Sequence, residues 1–264
     1  MPPVLSRLLL AGLLSASGLT PAIASHEASA GIPPSDALIL LKGGNRRFVS
    51  GTAVHFQQDA QRRHDTATNG QKPFAVILTC ADSRVPPELL FDQGIGCLFV
   101  IRVAGNVAQT DEVATAEYGV GHLGARLIVV LGHTKCGAVT AVVEGAKVGP
   151  NLAQLVKPIV PAATRARNEN PGASGAPLIA AAIQANIEQA IADILRLSPE
   201  LAGAIAHRQA RVVGALYDIE TGEVTFSEAA PDEPAPPGSE PAAHATAEPH
   251  AAPPAPAPAA PTHH

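Results

Sequence analysis

Pro73-Phe-Ala-Val-Ile-Leu-Thr-Cys80 and Leu127-Ile-Val-Val-Leu-Gly-His-Thr-Lys-Cys136 are two apolar, largely β-branched runs that each end in metal-ligand side chains. Runs of this length, apolar at every position, read as strands buried on both faces of a sheet. Two more such runs, Leu98–Val103 and Val212–Tyr217, join Phe74–Leu78 and Leu127–Leu131 to give four strands. Helical patterns lie between them. Asp111–His122 follows Thr110 with acids in its first turn, Gly137–Glu144 follows the third strand, and Ile179, Ile183, Ile187, Ile191 and Leu195 form a stripe at every fourth position. Ser198-Pro199-Glu200 caps a further short helix. Before the first strand, Ser35–Val49 reads as a helix capped by Ser35 and interrupted near Gly43-Gly44. Strands alternating with helices over short connections predict an α/β fold, a mostly parallel central sheet flanked by helices. Val212–Ile219, Glu220-Thr221-Gly222 and Glu223–Phe226 read as a hairpin that adds an antiparallel strand at its end.

Composition bounds the class. The 264 residues carry 18 Lys+Arg against 23 Asp+Glu, a net charge of −5, which excludes a strongly basic nucleic-acid binder. Aromatic residues are 3% with no Trp, so the core is built from Ala, Val, Ile and Leu. Residues 1–24 read as an export signal: Arg7, the apolar run Leu8–Leu14, and the small-x-small site Ala22-Ile23-Ala24. The 18 uncharged residues Leu8–Ser25, broken by Ser, Thr and Pro21, fall short of a spanning helix, so no membrane association is expected after cleavage. Residues 231–264 hold 11 Pro and 11 Ala without Lys or Arg, too little buriable surface to offset ordering entropy, and are expected to be a disordered tail. Residues 25–230 are then one α/β domain in a periplasmic or secreted protein.

Cys80, His133 and Cys136 stand at or just past strand ends, where open parallel sheets form their binding crevices. Two thiolates and an imidazole suit Zn²⁺, and three protein ligands leave a fourth position for water, whose pKa zinc brings toward about 7. Cys97 begins a strand, which places it at the opposite sheet edge as a small core residue. In an exported chain a Cys80–Cys136 disulfide competes with the metal, but leaves His133 without a purpose. Asp82 can orient a metal-bound water while Arg84, bidentate, keeps the carboxylate ionised and off the metal. Gly137 opens a helix whose free N–H groups suit an anionic product. Gly94-Ile95-Gly96 lacks the third Gly of a dinucleotide fingerprint and reads as a turn.

Cys80-Ala-Asp82-Ser-Arg84-Val-Pro86, Arg102-Val-Ala-Gly-Asn106, Glu117-Tyr118-Gly119-Val120 and Gly132-His133-Thr-Lys-Cys136-Gly137-Ala-Val139, in that order, resemble a beta-class carbonic anhydrase. The resemblance runs from Gly44-Asn45-Arg46-Arg47-Phe48 to the Val212–Phe226 hairpin. It implies one Zn²⁺ per chain on Cys80, His133 and Cys136, the Asp82–Arg84 dyad, and reversible hydration of CO₂ to bicarbonate and a proton by zinc-bound hydroxide. It also implies that Gln71 hydrogen-bonds bicarbonate across a dimer interface, that Phe99 and Tyr118 line the CO₂ pocket, and that the unit is a homodimer or a dimer of dimers. His122 and His55 are candidate proton relays. Arg102 matches the arginine of an effector site that pairs with a Trp in some members. The chain has Ile77 at the matching place and no Trp, so an open, active site without that regulation is expected. The alternatives are a carbon disulfide or carbonyl sulfide hydrolase on the same constellation, and a silent zinc-binding module.

Overall fold

A computed structural model of the chain describes residues 31–227, and the signal and tail read from the sequence lie outside them. Strands β1 (Ala75–Thr79), β2 (Leu98–Arg102), β3 (Leu127–His133), β4 (Arg211–Tyr217) and β5 (Val224–Phe226) form one sheet in the order β2-β1-β3-β4-β5. The first four are parallel and β5 is antiparallel to β4, so the hairpin and the fold class stand as expected. The two runs that decide the fold occupy the centre, and every residue of β1 and β3 is buried. Strand β3 runs two residues further than its apolar pattern, so His133 is its last residue rather than the first of a loop.

The first helix, α1 (Pro34–Val49), is continuous through Gly43-Gly44. The expected interruption is absent because Gly44 is a contact point: a Cβ there would lie 1.7 Å from the Phe91 carbonyl oxygen, so only a bare backbone lets α1 settle. The cap differs as well. Pro33 precedes the helix and Pro34 is its first residue, while Ser35 sits inside the first turn with its hydroxyl on Asp36. Next to Gly44, the buried Asn45 donates to the Leu90 and Gly222 carbonyls at 3.2 and 2.9 Å and accepts from the Val224 N–H at 2.9 Å. Arg47 Nε bonds Asp92 Oδ2 at 2.6 Å, and Asp92 also accepts from the N–H groups of Val54 and His55. One amide and one ion pair thus fasten α1 to the C-terminal hairpin and to the segment after α3 (Pro87–Leu90), with α2 (Ala60–Asn69) between them in the chain.

The fourth helix, α4 (Thr110–Glu117), starts one residue before the acidic turn, capped by Gln109 in a reciprocal pair with Glu112. It ends in a π turn, Tyr118–His122, in place of the continuous α-helix read from the pattern. After β3 come α5 (Gly137–Glu144), α6 (Pro150–Val156), α7 (Ile159–Glu169), the 23-residue α8 (Gly175–Leu197) and α9 (Pro199–Ala206). The isoleucine stripe faces the sheet: Ile187 and Ile191 pack with Val76, Leu78, Ile128 and Val130, and Ile194, outside the stripe, joins them. Helix α8 is long and apolar enough to cross a membrane by composition, but that apolar face is occupied by β3 and β4. Ser198 caps α9 through its hydroxyl, as its sequence predicts.

Candidate metal centre and active site

Cys80 directly follows β1, His133 ends β3, and Cys136 is the residue that precedes the first turn of α5. The pairing of β1 with β3 therefore carries the three side chains to one sheet edge, where their donor atoms lie within 4.8 Å of one another. Among the described residues no other set of three such ligands converges. All three are buried, and all three cysteines of the chain are free thiols. Cys97 lies at the other end of the sheet, its thiol 3.2 Å from Gln57 Oε1, in agreement with its reading as a core residue.

The imidazole shows what the cluster is built to hold. His133 Nδ1 bonds the Thr134 carbonyl at 2.9 Å, which fixes that nitrogen as the N–H and leaves Nε2 with its lone pair. Nε2 is fully buried and has no hydrogen-bond partner. A buried acceptor without a donor is costly, and a cation held jointly with two sulfurs removes the cost. Sulfur and imidazole donors together fit a soft-to-borderline divalent ion. Of the two thiols, Cys80 is the one its surroundings favour as thiolate. The neighbouring Cys136 and His133 side chains, with the Gly105 N–H at 3.3 Å, hold the Cys80 pKa well below the ordinary thiol value against the opposing effect of burial. Cys136, beside Cys80 in a buried place, is pushed up.

The segment that follows Cys80 turns back on itself. Asp82 Oδ1 accepts from Arg84 N and Nε, both at 2.9 Å, and Oδ2 accepts from Arg84 Nη2 at 2.7 Å. This bidentate grip, more than any other contact, holds the Asp82 carboxyl well below the usual carboxylate range. Oδ2 also stands 3.9 Å from His133 Nε2, so the dyad belongs to the ligand cluster rather than to the outer surface. Arg102, at the end of β2, donates to the Cys80 carbonyl at 3.2 Å and the Asp82 carbonyl at 2.7 Å. It braces the ligand loop, a role its match to an effector-site arginine does not suggest. Thr134 does the same for the other loop: its N–H reaches the Tyr217 carbonyl at 2.9 Å and its hydroxyl accepts from Ile219 N. Gly137 is the exposed first residue of α5, with open space over its Cα.

The fold does not bring the other three sequence-predicted residues to this cluster. Gln71 lies before β1, beside Gly96, at the amino ends of the strands. Phe99 pairs with Val76, and its ring packs on Tyr118 at 5.9 Å. Cys80 lies four residues beyond Val76, so about 13 Å of strand separates the aromatic pair from the metal ligands. Tyr118 is 49% exposed, and His122 stacks beside it at 5.1 Å. His55 sits apart, in the loop held by Asp92.

Thiol and imidazole donors at the carboxyl ends of adjacent parallel strands, flanked by a carboxylate, place a site that could hold a metal ion where open α/β enzymes carry their active sites. The family model for carbonic anhydrase matches residues 75–224, and the chain belongs to this family, in its beta class. It is 35% identical over 192 residues to carbonic anhydrase 2 of Mycobacterium tuberculosis, covering 71% of this chain and 90% of the relative. It is 37% identical over 186 residues to the carbonic anhydrase of Mycolicibacterium smegmatis, covering 70% and 88%. The solved structure of the beta-carbonic anhydrase CcaA superposes with a TM-score of 0.59 at 27% identity, over 74% of this chain and 95% of that one. The chain's activity is that of a carbonic anhydrase, the hydration of carbon dioxide.

Proposed function

We propose that the chain hydrates CO₂ reversibly to bicarbonate and a proton with one Zn²⁺ held by Cys80, His133 and Cys136. The observation that carries this reading is the buried, partnerless His133 Nε2, set among two thiols and 3.9 Å from an Arg84-held carboxylate. Bound zinc supplies the Lewis acidity that makes water nucleophilic near neutral pH. Asp82 Oδ2, the carboxylate oxygen nearer the imidazole, accepts a hydrogen bond from the reacting water and fixes its orientation. Arg84 keeps that carboxylate charged and turned to itself, so that it would not take up a coordination position on a bound ion. Gly137, at the start of α5, offers its N–H side to the anionic product.

Gln71, Phe99 and Tyr118 serve the site of a second copy, and the unit is a homodimer or a pair of dimers. Their distance from the ligands of their own chain supports this, as do Ile39 and Leu40, exposed on α1. His122, exposed beside Tyr118, passes the released proton to buffer. The amino-terminal segment, Arg7 with Leu8–Leu14 and Ala22-Ile23-Ala24, supports export to the periplasm or beyond. Amino-terminal sequencing of the mature protein from fractionated cells tests that point, with Ser25 as the expected first residue.

Stopped-flow CO₂ hydration at pH 7.5–8.5, with zinc measured on the same sample, tests the function. Activity should track one zinc per chain, and Asp82→Asn should lower kcat/KM by about 10²-fold with zinc retained. Full zinc without CO₂ turnover overturns the reading in favour of a sulfur-gas hydrolase or a silent zinc module.

A further inference from the structure

Asn186 is a buried amide in the middle of α8, on the face otherwise made of Ala182, Ile183, Ile187 and Ala190. An apolar residue would suit that face, so the amide needs a partner to be tolerated. Its partner is distant in sequence: Nδ2 donates to the Gly105 carbonyl at 2.8 Å. Gly105 in turn donates its own N–H to Cys80 Sγ at 3.3 Å. It does so from φ +79°, in a place where a Cβ would lie 2.7 Å from Ile159 Cδ1 and 3.1 Å from Ala138 Cβ. Only glycine fits that backbone, and Asn186 is what holds it from below.

We propose that Asn186 is a positioning residue for the metal centre, acting through Gly105 to aim an N–H at the Cys80 sulfur. The inference rests on the metal-centre reading above. An N–H on a ligand thiolate draws electron density from the sulfur, weakens its donation and leaves the metal a stronger Lewis acid. The amide on α8 therefore sets the donor strength of one ligand, while the Asp82–Arg84 dyad acts at the open side. Neither Cys80 nor Gly105 shows this dependence in the sequence, because Asn186 is 81 residues from Gly105 and lies inside an apolar helix.

The test is cobalt substitution of the full chain, read by its thiolate-to-metal charge-transfer band and by chelator competition. Asn186→Leu keeps the branched shape of the side chain and removes the donor; Asn186→Ala removes both. Either variant should move the band to longer wavelength, because the sulfur donates more strongly without the N–H, and should weaken metal binding by about 10–100-fold, because Gly105 no longer holds that sulfur in place. Ile194→Ala, a buried change further along α8 that touches neither Gly105 nor a ligand, should lower stability and leave the band in place. An unmoved band in a metal-loaded Asn186 variant overturns the inference. The wild-type protein loaded with ¹¹³Cd gives an independent reading that needs no variant to fold. A scalar coupling between the Gly105 amide proton and cadmium is expected, and its absence overturns the inference as well. A wild-type chain that takes up cobalt with no thiolate band refutes the metal centre itself, which separates the two failures.

Discussion

Replacing Gly43 or Gly44 by Ala should move stability in opposite directions, although the two residues are neighbours in one helix. In an unpacked helix each change gains up to about 1 kcal/mol, because glycine loses more backbone entropy on ordering. At Gly43 the new methyl meets only the ends of the Arg47 and Arg46 side chains, at 3.7 and 3.9 Å, so this gain survives. At Gly44 it begins 1.7 Å from the Phe91 carbonyl oxygen, and 2.5 Å from its carbon. A carbon–oxygen contact needs about 3.3 Å, so α1 must retreat by about 1.6 Å. The three Asn45 hydrogen bonds, now 2.9–3.2 Å long, cannot follow that far. Three buried hydrogen bonds at about 1 kcal/mol each, less the propensity gain, leave Gly44→Ala destabilised by about 2 kcal/mol. For a domain near 200 residues that lowers Tm by about 6 °C. Urea unfolding of both variants at one fixed protein concentration measures the difference, since any assembly makes the midpoint concentration-dependent. Wild-type stability in Gly44→Ala, or equal shifts in the two variants, refutes the close approach as a rigid feature of the fold.

Arg102→Ala should cut metal affinity or activity by about 10–100-fold, because the Cys80 and Asp82 carbonyls lose their brace; metal content and kcat/KM on one sample check it. Gln71→Leu and Cys136→Ser, each inactive alone, should regain about a quarter of wild-type activity when co-refolded, since half of randomly formed dimers carry one intact site. Monomeric, fully active protein in sedimentation contradicts that arrangement. The Asp92 carboxyl is buried, which opposes ionisation, but Arg47 and the Val54 and His55 N–H groups outweigh the burial and lower its pKa. A lowered pKa means that its support is complete above the ordinary carboxylate value of about 3.9 and is lost as pH falls through the folded value. Asp92→Asn should therefore cost about 2 kcal/mol at pH 7 and flatten the acid side of the stability curve, as urea midpoints from pH 7 to 2.5 would show.

The strands were legible because β1 and β3 are buried on both faces, which forces apolar residues at every position. Cys80, His133 and Cys136 were legible for a related reason, since strand ends in a parallel sheet converge whatever the rest of the chain does. What stayed hidden depends on contacts distant in sequence. Gly43-Gly44 reads as a helix break until Phe91, 47 residues on, is seen to require the bare backbone. Arg102 carries no sign that it will reach back 20 and 22 residues to two carbonyls. The π turn at Tyr118–His122 is an extra residue in a helical register, invisible to a period-based reading. The resemblance named Gln71, Phe99 and Tyr118, yet only the register of β1 with β2 shows that they stand at the far edge from the ligands.

The Thr134 clamp has a consequence for biogenesis. Two of the three ligands flank a loop whose hydrogen bonds end on Tyr217 and Ile219, about 85 residues later in the chain. During synthesis, Cys80, His133 and Cys136 all emerge well before the hairpin that pins the Thr134 loop. Long-range contacts of this kind form late, after the costly loop closures around α8. The centre is then finished by the last strands to be made, and a chain that stops short of residue 211 carries the right side chains without the arrangement. Metal uptake becomes a report on completed synthesis.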